Sequence, residues 1–411
     1  MPAGPLSVDE AIAAVLAEVA PLPAVRVPLV EALGGVLAET ITAPFPLPQW
    51  TNAAMDGYAV RAEDVRGATR GQPVTLPVVA RVAAGDDRPR PLNAGEAMRI
   101  FTGGRVPPGA DSVVRQEDSD RGATRVTIFA DRDAGRHVRY VGSDLAAGGE
   151  ALPRGCLIGP GELGLLAALA ITEPMVHRRP RVAIISTGDE LASLNDPVPI
   201  RTGERLADSN TPALVALTTR AGAEAIALGP VRDDPAALAA TISGATDTDM
   251  VITVGGVSVG DHDHVPAVIA SLGARLLFRR VRLRPGGPTT AAVLPDGRFW
   301  LALPGNPVSA MVTFTLFARP AIRRMAGEDA PLRAEFSVTL TTPVERNPTL
   351  ETCFRAAQLG LSADGIPQLA PTGPGGSALL TTMRGAEWLV RVAAGGGEVP
   401  AGTILPAVGF P

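Results

Sequence analysis

The apolar positions near the start of the chain repeat with the period of a helix. They share one face at Val8, Ile12, Val15, Leu16 and Val19. Ser7 and Glu10 stand three residues apart at the start of this run, which is the spacing of a capping box. The pattern predicts helices at 7–19 and, further on, at 162–171. Between about 44 and 136, short runs broken by Gly and Pro predict β-strands, among them 74–79, 98–101 and 125–129.

The middle of the chain alternates between two kinds of apolar pattern. Strands are predicted at 181–186, 224–228, 250–254, 276–283, 289–294 and 299–303. Helices are predicted at 212–221, from about 235, at 264–272 and at 307–325. This alternation is typical of a doubly wound, mostly parallel sheet. After about residue 330 short runs, including 335–340, 353–359 and 388–392, predict a small β-barrel or sandwich.

Composition places the chain among multidomain globular proteins. Its 411 residues suggest two to four domains. With 46% hydrophobic and 19% charged residues, a disordered tail protein is excluded. The net charge of −5 argues against a nucleic-acid binder. Neither a signal peptide nor an apolar run of roughly 18 residues is found, so we expect a cytoplasmic protein outside the membrane.

The residue types that are missing restrict the chemistry further. All 37 basic residues are arginine, so a Walker A phosphate loop and Schiff-base chemistry are excluded. A bound anion must therefore be held by arginine, backbone N–H groups or a metal. The two cysteines, Cys156 and Cys353, are far apart and form no CxxC motif, which fits a reducing compartment.

Three loops follow predicted strands of the α/β segment and carry Gly, Ser and Thr. They span 186–190, 255–261 and 304–309. In an open α/β sheet such strand ends line one crevice, where ligands bind. Glycine lets the backbone N–H groups approach an anion closely, and Pro307 and Ser309 add the start of a helix. The alternative is that these loops only make tight turns.

Acidic residues accompany these loops. They are Asp189, Glu190, Asp208, Asp233, Asp234, Asp261 and Asp263. Carboxylates beside a phosphate-binding crevice suit Mg²⁺. Alternatively, Asp208 caps a helix and the Asp233–Asp234 pair starts one. His262 and His264 form an HxH pair, but without further His or Cys nearby a zinc site is disfavoured.

A row of arginines precedes a Gly-Pro turn. If this segment is a strand, Arg280, Arg282 and Arg284 share one face and Arg279 lies on the other. Guanidinium groups bind oxyanions with two hydrogen bonds, so the row could line a phosphate or tetrahedral-oxyanion site. The alternative is a solvated face of an edge strand.

Several segments together carry a family resemblance. They are PLPQWTNAAMDGYAV, RIFTGG, VPPGAD, STGDEL, DSN, RDDP, VITVGGVSVGDHDHV, RPGGPTT and LALPGNPVSA. The chain resembles the molybdopterin molybdotransferase family (molybdenum insertases, related to the E domain of gephyrin) over nearly its whole length. The resemblance implies an elongated helical and β N-terminal domain from 1–44 and 137–178 with a β-rich domain inserted at 45–136. It also implies a doubly wound molybdopterin-binding α/β domain at 179–327 and a C-terminal β-barrel at 328–411.

The resemblance also implies an activity. Molybdate is inserted into adenylylated molybdopterin with release of AMP, in the presence of Mg²⁺ or a similar ion. The implied protein is a homodimer whose active site is shared between subunits, with molybdopterin adenylyltransferase and molybdoenzymes as candidate partners. Tungstate, a dianion of similar size, stays open as a substrate. Two rival functions are a molybdopterin adenylyltransferase, against which the MDGYAV and FTGG segments count, and a non-catalytic pterin-binding scaffold.

The resemblance also implies functional residues at the positions where this chain matches the family's motifs. The candidate catalytic residues are Asp56, Thr102, Glu190, Asp233, Asp263, Arg280 and Arg284, with Arg139 and Asp144 as weaker candidates. The candidate pterin-binding residues are Thr187, Gly188, Asp189, Ser209, Gly255, Gly256, Ser258, Gly260, Asp261, Pro304, Gly305, Asn306 and Ser309. The candidate metal ligands are Glu190, Asp233 and Asp263.

The chain also departs from the family pattern. Many members carry Lys at the positions of Arg280, Arg284 and Gly287, and Glu at that of Ser143. Arginine keeps the charge but does not lose its proton, which favours electrostatic holding over proton transfer. The resemblance assigns no firm role to Arg355 or Arg384.

Overall fold

The structure, a computed structural model, describes residues 4–86, 89–256, 264–332, 335–373 and 376–410. The chain forms two compact units. The first comprises Met1–Glu39, Arg154–Leu163 and Thr172–Pro411, and the second Thr40–Pro153 and Gly164–Ile171. The division into four domains stays a prediction.

The first helix, α1 (Val8–Glu18), confirms the capping-box pattern. The Ser7 backbone N–H donates to Glu10 Oε2 over 2.7 Å, and the Glu10 N–H donates to Ser7 Oγ over 3.2 Å. Val8 and Val15 are fully buried in the core of the first unit. The cap fixes where the helix begins, and its apolar face fixes where it packs.

The second unit is built on a five-stranded sheet. Its strands are β1 (Gly57–Val60), β2 (Val74–Val82), β3 (Ala97–Ile100), β4 (Ser112–Arg115) and β5 (Arg125–Ile128), in the order β4-β1-β3-β2-β5. Two short two-stranded pairings also belong to this unit, Asn52–Ala53 with Val138–Arg139 and Ile41–Thr42 with Glu150–Leu152. Helix α2 (Pro160–Ala168) follows along the chain. The prediction of β-rich structure in this part of the chain is confirmed.

The α/β part of the first unit contains a six-stranded sheet. Its strands are β6 (Arg181–Ser186), β7 (Glu224–Ala227), β8 (Met250–Val254), β9 (Arg275–Phe278), β11 (Thr290–Val293) and β12 (Phe299–Leu303), in the order β7-β6-β8-β12-β11-β9, with β10 (Leu283–Arg284) outside it. The first four strands in that order are parallel, β11 is antiparallel to β12, and β9 is antiparallel to β11. The strands β6, β8 and β12 are almost entirely buried, as expected where helices cover both faces.

The helices of this part lie between and after the strands. They are α3 (Val198–Arg201), α4 (Asn210–Arg220), α5 (Pro235–Gly244), α6 (Val265–Leu272), α7 (Pro307–Thr313) and α8 (Arg319–Met325). The prediction of one α-helix over 307–325 is wrong in one respect, because a π-helical turn, Phe314–Ala318, separates α7 from α8. Thr313 and Thr315 donate their hydroxyls to the carbonyls of Ser309 and Met311, a contact that perturbs a regular helix.

The predicted strand 276–283 is confirmed at its start and wrong at its end. Strand β9 ends at Phe278, and the chain leaves the sheet before Leu283 and Arg284 pair with another sheet as β10. Between these two strands, Val281 forms a parallel bridge with Leu6. The arginines at 280, 282 and 284 therefore do not share one strand face.

The C-terminal part forms a closed barrel. Its strands are β13 (Phe336–Leu340), β14 (Glu351–Leu361), β15 (Pro367–Pro371), β16 (Trp388–Val392) and β17 (Ile404–Gly409), in the order β14-β15-β13-β17-β16. Pairing of β14 with β16 closes the ring, and β10 joins it at β14. Across the described parts of the chain, no helix is both long and apolar enough to cross a membrane.

Candidate functional site

The loops after β6, β8 and β12 meet at one edge of the sheet. They line a cavity of about 700 Å³ in the first unit, the first cavity. Ten of the predicted site residues that the structure describes line it: Thr187, Gly188, Glu190, Ser209, Asp233, Gly255, Gly256, Pro304, Gly305 and Asn306. The carboxyl ends of parallel strands thus bring together residues from across the α/β segment, as the sequence predicts.

Hydrogen bonds between the loops hold this wall together. The Thr187 N–H donates to Val254 O over 2.9 Å, the Gly255 N–H to Leu303 O over 3.2 Å, and Asn210 Nδ2 to Gly305 O over 2.7 Å. Gly255 has a φ of +99°, and a Cβ added there would stand 2.4 Å from Thr187 O. Only glycine fits at this position, because a side chain would clash with the neighbouring backbone.

Of the carboxylates that the structure describes, those of Glu190 and Asp233 line the first cavity. Asp233 Oδ1 is buried and accepts no hydrogen bond from the described residues, and His264 Nε2 lies 3.4 Å from it. Asp189 lies outside the cavity lining, and its Oδ1 accepts the Asp233 N–H over 3.3 Å. The sequence offered His264 only as half of an HxH pair, whereas the structure places it beside Asp233.

Gly188 leaves room for the Glu190 carboxylate. A Cβ added at Gly188 would meet both Glu190 carboxylate oxygens, at 2.7 and 2.8 Å. We expect Gly188→Ala to displace that flexible side-chain end and to lower kcat for the reaction that the family resemblance implies about tenfold or more, with the melting temperature lowered no more than in the control variant. Steady-state kinetics and thermal melting check this. Gly203→Ala is the control, because a Cβ there meets nothing within 4 Å although φ is also positive. A kcat for Gly188→Ala equal to that of the control would contradict the expectation.

Two other acidic residues accept hydrogen bonds at the starts of helices, as the alternative interpretation of the acidic residues predicted. The buried Asp208 accepts hydrogen bonds from Ser186 Oγ (2.5 Å), Thr211 Oγ1 (2.6 Å) and the Thr211 N–H (3.1 Å) at the start of α4. Asp234 Oδ2 accepts the Ala237 N–H over 2.8 Å and caps α5. Neither carboxylate lines the first cavity.

A second cavity of about 790 Å³ lies against the first and is lined partly by the barrel. Pro288, Pro304 and Asn306 line both cavities, so the two adjoin. Of the predicted site residues that do not line the first cavity, Arg284 and Ser309 line the second. Arg280 lines neither and is exposed.

The second cavity also contains a buried arginine that sequence reasoning left without a role. Arg355, on β14, is only 3% exposed. Its Nη2 donates to Thr382 Oγ1 over 2.6 Å, while its Nε has no hydrogen-bond partner in the described structure. Burial lowers the pKa of Arg355, and no carboxylate of the described residues opposes this shift. A buried cation without a counter-ion favours an anionic ligand.

Four predicted residues, Ser258, Gly260, Asp261 and Asp263, lie outside the described residues, as does His262. In the described ranges, no group of three or more His, Cys, Asp or Glu side chains is arranged to hold a metal ion. The metal site therefore stays a prediction.

In the second unit, Asp56 and Thr102 come together. Asp56 Oδ1 accepts the Thr102 N–H over 2.8 Å and the Thr102 hydroxyl over 2.7 Å. These bonds hold the pKa of Asp56 below its ordinary value. The bond from the Thr102 N–H has the largest effect, and the charge of Arg99 adds a smaller attraction. The pairing of Gly57 with Ile100 across β1 and β3 explains the contact, because it places the residues next to these strands opposite each other. The weaker candidates Arg139 and Asp144 are exposed.

Comparisons with known proteins agree with this architecture. A family model described as the MoeA N-terminal region (domain I and II) matches residues 6–170. A second, described as a probable molybdopterin binding domain, matches residues 183–324. The chain is 39% identical to molybdopterin molybdenumtransferase 2 of Mycobacterium tuberculosis over 387 residues, 93% of this chain and 94% of that protein. The chain belongs to the molybdopterin molybdenumtransferase family.

Further members and solved structures match nearly the whole chain. The molybdopterin molybdenumtransferase of Synechococcus elongatus is 35% identical and matches over 99% of this chain and 98% of its own length. The crystal structure of the molybdopterin biosynthesis MoeA protein of Pyrococcus horikoshii aligns with a TM-score of 0.79 at 28% identity, covering 99% of this chain and 100% of that one. The family resemblance and the fold class that the sequence indicated are both confirmed.

Proposed function

We propose that this transferase inserts molybdate into adenylylated molybdopterin, releasing AMP and giving the molybdenum-loaded cofactor. The observation that carries the proposal is the pair of adjoining cavities. Within the described ranges, one is walled by Gly-rich loops and the carboxylates of Glu190 and Asp233, and the other contains a buried arginine that is not paired with a carboxylate. The relatives named molybdopterin molybdenumtransferase support molybdenum insertion as the reaction.

The first cavity is the proposed place of the pterin phosphate and its anhydride to AMP. Backbone N–H groups of the Gly-rich loops can donate to phosphate oxygens, because glycine allows the backbone to approach them closely. We assign this role to the N–H groups of Gly256, Gly305 and Asn306. The N–H groups of Thr187, Gly188 and Gly255 already donate to the backbone of neighbouring loops, so these residues shape the wall together with Ser209 and Pro304. These groups hold and orient the phosphates while the anhydride is cleaved.

The carboxylates of the first cavity fit a magnesium ion. Asp233 Oδ1 is buried and accepts no hydrogen bond from the described residues, and Glu190 presents a second hard oxygen ligand. Mg²⁺ is commonly held by one or two carboxylates together with substrate phosphates and water. We propose Glu190 and Asp233, with Asp263, as its ligands. When bound, the ion would neutralise charge on the phosphoanhydride as a Lewis acid.

The second cavity is the proposed place of molybdate. Arg284 and the buried Arg355 provide positive charge, and guanidinium groups hold a tetrahedral oxyanion with paired hydrogen bonds. Because the two cavities adjoin, the oxyanion would be held next to the bound pterin. The sulfur ligands belong to the substrate, so Cys353 in the cavity wall is not needed as a ligand.

An insertion assay tests the proposal. The protein is incubated with adenylylated molybdopterin, molybdate and Mg²⁺, and AMP and pterin-bound molybdenum are measured together. Equal amounts of both, dependent on molybdate, are expected. Adenylylated pterin formed from ATP and molybdopterin would instead indicate an adenylyltransferase. Tight pterin binding without AMP release would indicate a scaffold. Replacing molybdate by tungstate in the same assay measures the preference between the two ions.

We also propose a homodimer in which Asp56 and Thr102 of one subunit act with Glu190 and Asp233 of the other. Asp56→Asn and Glu190→Gln homodimers should each be nearly inactive. After subunit exchange about half of the dimers are mixed, and each mixed dimer keeps one intact site of two, so activity should rise to about a quarter of the parent value. A mixture that stays inactive despite verified exchange would contradict the shared site.

We infer a cytoplasmic location and substrate exchange with a molybdopterin adenylyltransferase and with molybdoenzymes. The location is supported by Cys156 and Cys353, neither of which forms a disulfide.

A further inference from the structure

The N-terminal segment, residues 4–7 before α1, is hydrogen-bonded to the arginine loop, residues 279–285. The Leu6 N–H donates to Arg280 O over 3.1 Å, and the Arg282 N–H donates to Leu6 O over 2.7 Å. Leu6 and Val281 thereby form a parallel bridge between distant parts of the chain. At this point the arginine loop no longer pairs within the six-stranded sheet, and its backbone groups bond to the N-terminal segment instead.

The side chain of Arg282 extends the same attachment. Its Nη1 donates to Pro5 O over 3.0 Å, and its Nη2 lies 3.7 Å from Glu10 Oε2. Glu10 is itself held by the capping box with Ser7. Arg282 does not line the second cavity, whereas Arg284, two residues later, does. Arg282 therefore binds the N-terminal segment, whereas Arg284 lines the second cavity.

The other side of the arginine loop is held by the barrel. The Glu351 N–H donates to Arg282 O over 3.0 Å, and Leu283 and Arg284 pair with Glu351 and Thr352. Arg391 binds the Glu351 carboxylate at 2.6 Å and reaches Asp9 Oδ1 of α1 at 2.7 Å. The N-terminal segment and β14 thus hold the loop between them.

We propose that Arg282 is a positioning residue for the oxyanion substrate, which fastens the arginine loop to the N-terminal segment and so keeps Arg284 at the wall of the second cavity. The inference rests on the proposed function, because molybdate is the oxyanion expected there. Two-point binding of an oxyanion by a guanidinium requires accurate placement, so a small loop displacement weakens it. The half-exposed Arg282–Glu10 pair contributes little, and the hydrogen bond to Pro5 O with the Leu6 backbone bonds carries the effect.

The first test compares two arginines that tie α1 to the α/β part. Arg275 binds Glu18 at the other end of α1 through two hydrogen bonds but does not contact the arginine loop. We expect Arg282→Ala to raise the KM for molybdate about five- to tenfold with kcat within about twofold of wild type. Arg275→Ala should leave both values unchanged.

The second test breaks the attachment without altering an arginine. Leu6→Pro removes the N–H that donates to Arg280 O, while Leu6→Ala keeps that donor and loses only side-chain packing. We expect the KM for molybdate to rise at least about threefold more in Leu6→Pro than in Leu6→Ala. Calorimetric titration of molybdate into each variant provides a readout that does not depend on turnover.

Equal molybdate affinities in Arg282→Ala and Arg275→Ala, or in Leu6→Pro and Leu6→Ala, would overturn the inference. The wild-type protein separates this failure from that of the proposed function. If wild type shows no molybdate-dependent AMP release, the proposed function fails. If wild type is active and each variant matches its control, only the role of Arg282 fails.

Discussion

Glu190→Gln and Asp233→Asn are expected to lower kcat for AMP release by about 100-fold or more, while the Kd for adenylylated molybdopterin changes less than about threefold. Both carboxylates line the first cavity, and the buried Asp233 Oδ1 lacks a hydrogen-bond donor among the described residues. Charge held against the phosphoanhydride matters more while the bond is breaking than in the bound substrate, so the loss should appear in turnover. Single-turnover AMP release and equilibrium pterin binding measure the two effects separately.

The matched control for this pair is Asp196→Asn. Asp196 is exposed on the segment that follows Glu190 and does not line the first cavity, so the variant makes the same charge change away from the site. Its kcat should equal that of wild type. If all three variants turn over alike, the carboxylates of the first cavity have no part in the reaction.

Arg355→Met should abolish saturation by molybdate in the working range, raising KM by about 100-fold, without lowering the free energy of unfolding. Arg355 is buried and lacks a carboxylate partner in the described part of the chain, so an apolar side chain of similar length removes an uncompensated charge. A residue that serves only the fold would behave in the opposite way, since its loss would lower stability. Insertion kinetics against molybdate and denaturant unfolding distinguish the two roles.

Substitutions of Arg284 test the same binding of molybdate, with smaller expected effects on KM. Arg284→Ala should raise the KM for molybdate about tenfold and Arg284→Lys less, because lysine keeps the charge but not the two-point contact. Arg220→Ala, an exposed arginine at the end of α4, is the control for lost charge. Parent-like saturation in Arg355→Met and Arg284→Ala would show that molybdate does not bind in the second cavity.

The sequence predicted the first cavity well because its residues follow one rule. Parallel strands end at one sheet edge, so the Gly-rich loops after β6, β8 and β12 had to meet whatever the details of packing. Residues such as Thr187, Gly255 and Asn306 could therefore be grouped from their positions along the chain alone.

The second cavity could not be predicted in this way. It forms where the Pro-Gly turn after Arg284 meets β14 of the barrel, and no local pattern encodes that contact. Arg355 therefore looked like an ordinary strand residue. The arginine row was misplaced for a related reason, since alternation predicts a strand face but does not show that the strand changes sheets between Phe278 and Leu283.

The attachment of the N-terminal segment to the arginine loop has a consequence for how the chain folds. Pro5 and Arg282 are 277 residues apart. At a synthesis rate of roughly 5–20 residues per second, Arg282 is made on the order of 15 to 55 s after Pro5. The second unit, most of which is continuous from Thr40 to Pro153, can fold within that interval. The apolar face of α1 cannot be covered until later segments have emerged from the ribosome. Helix α1 is thus buried long after it has been made.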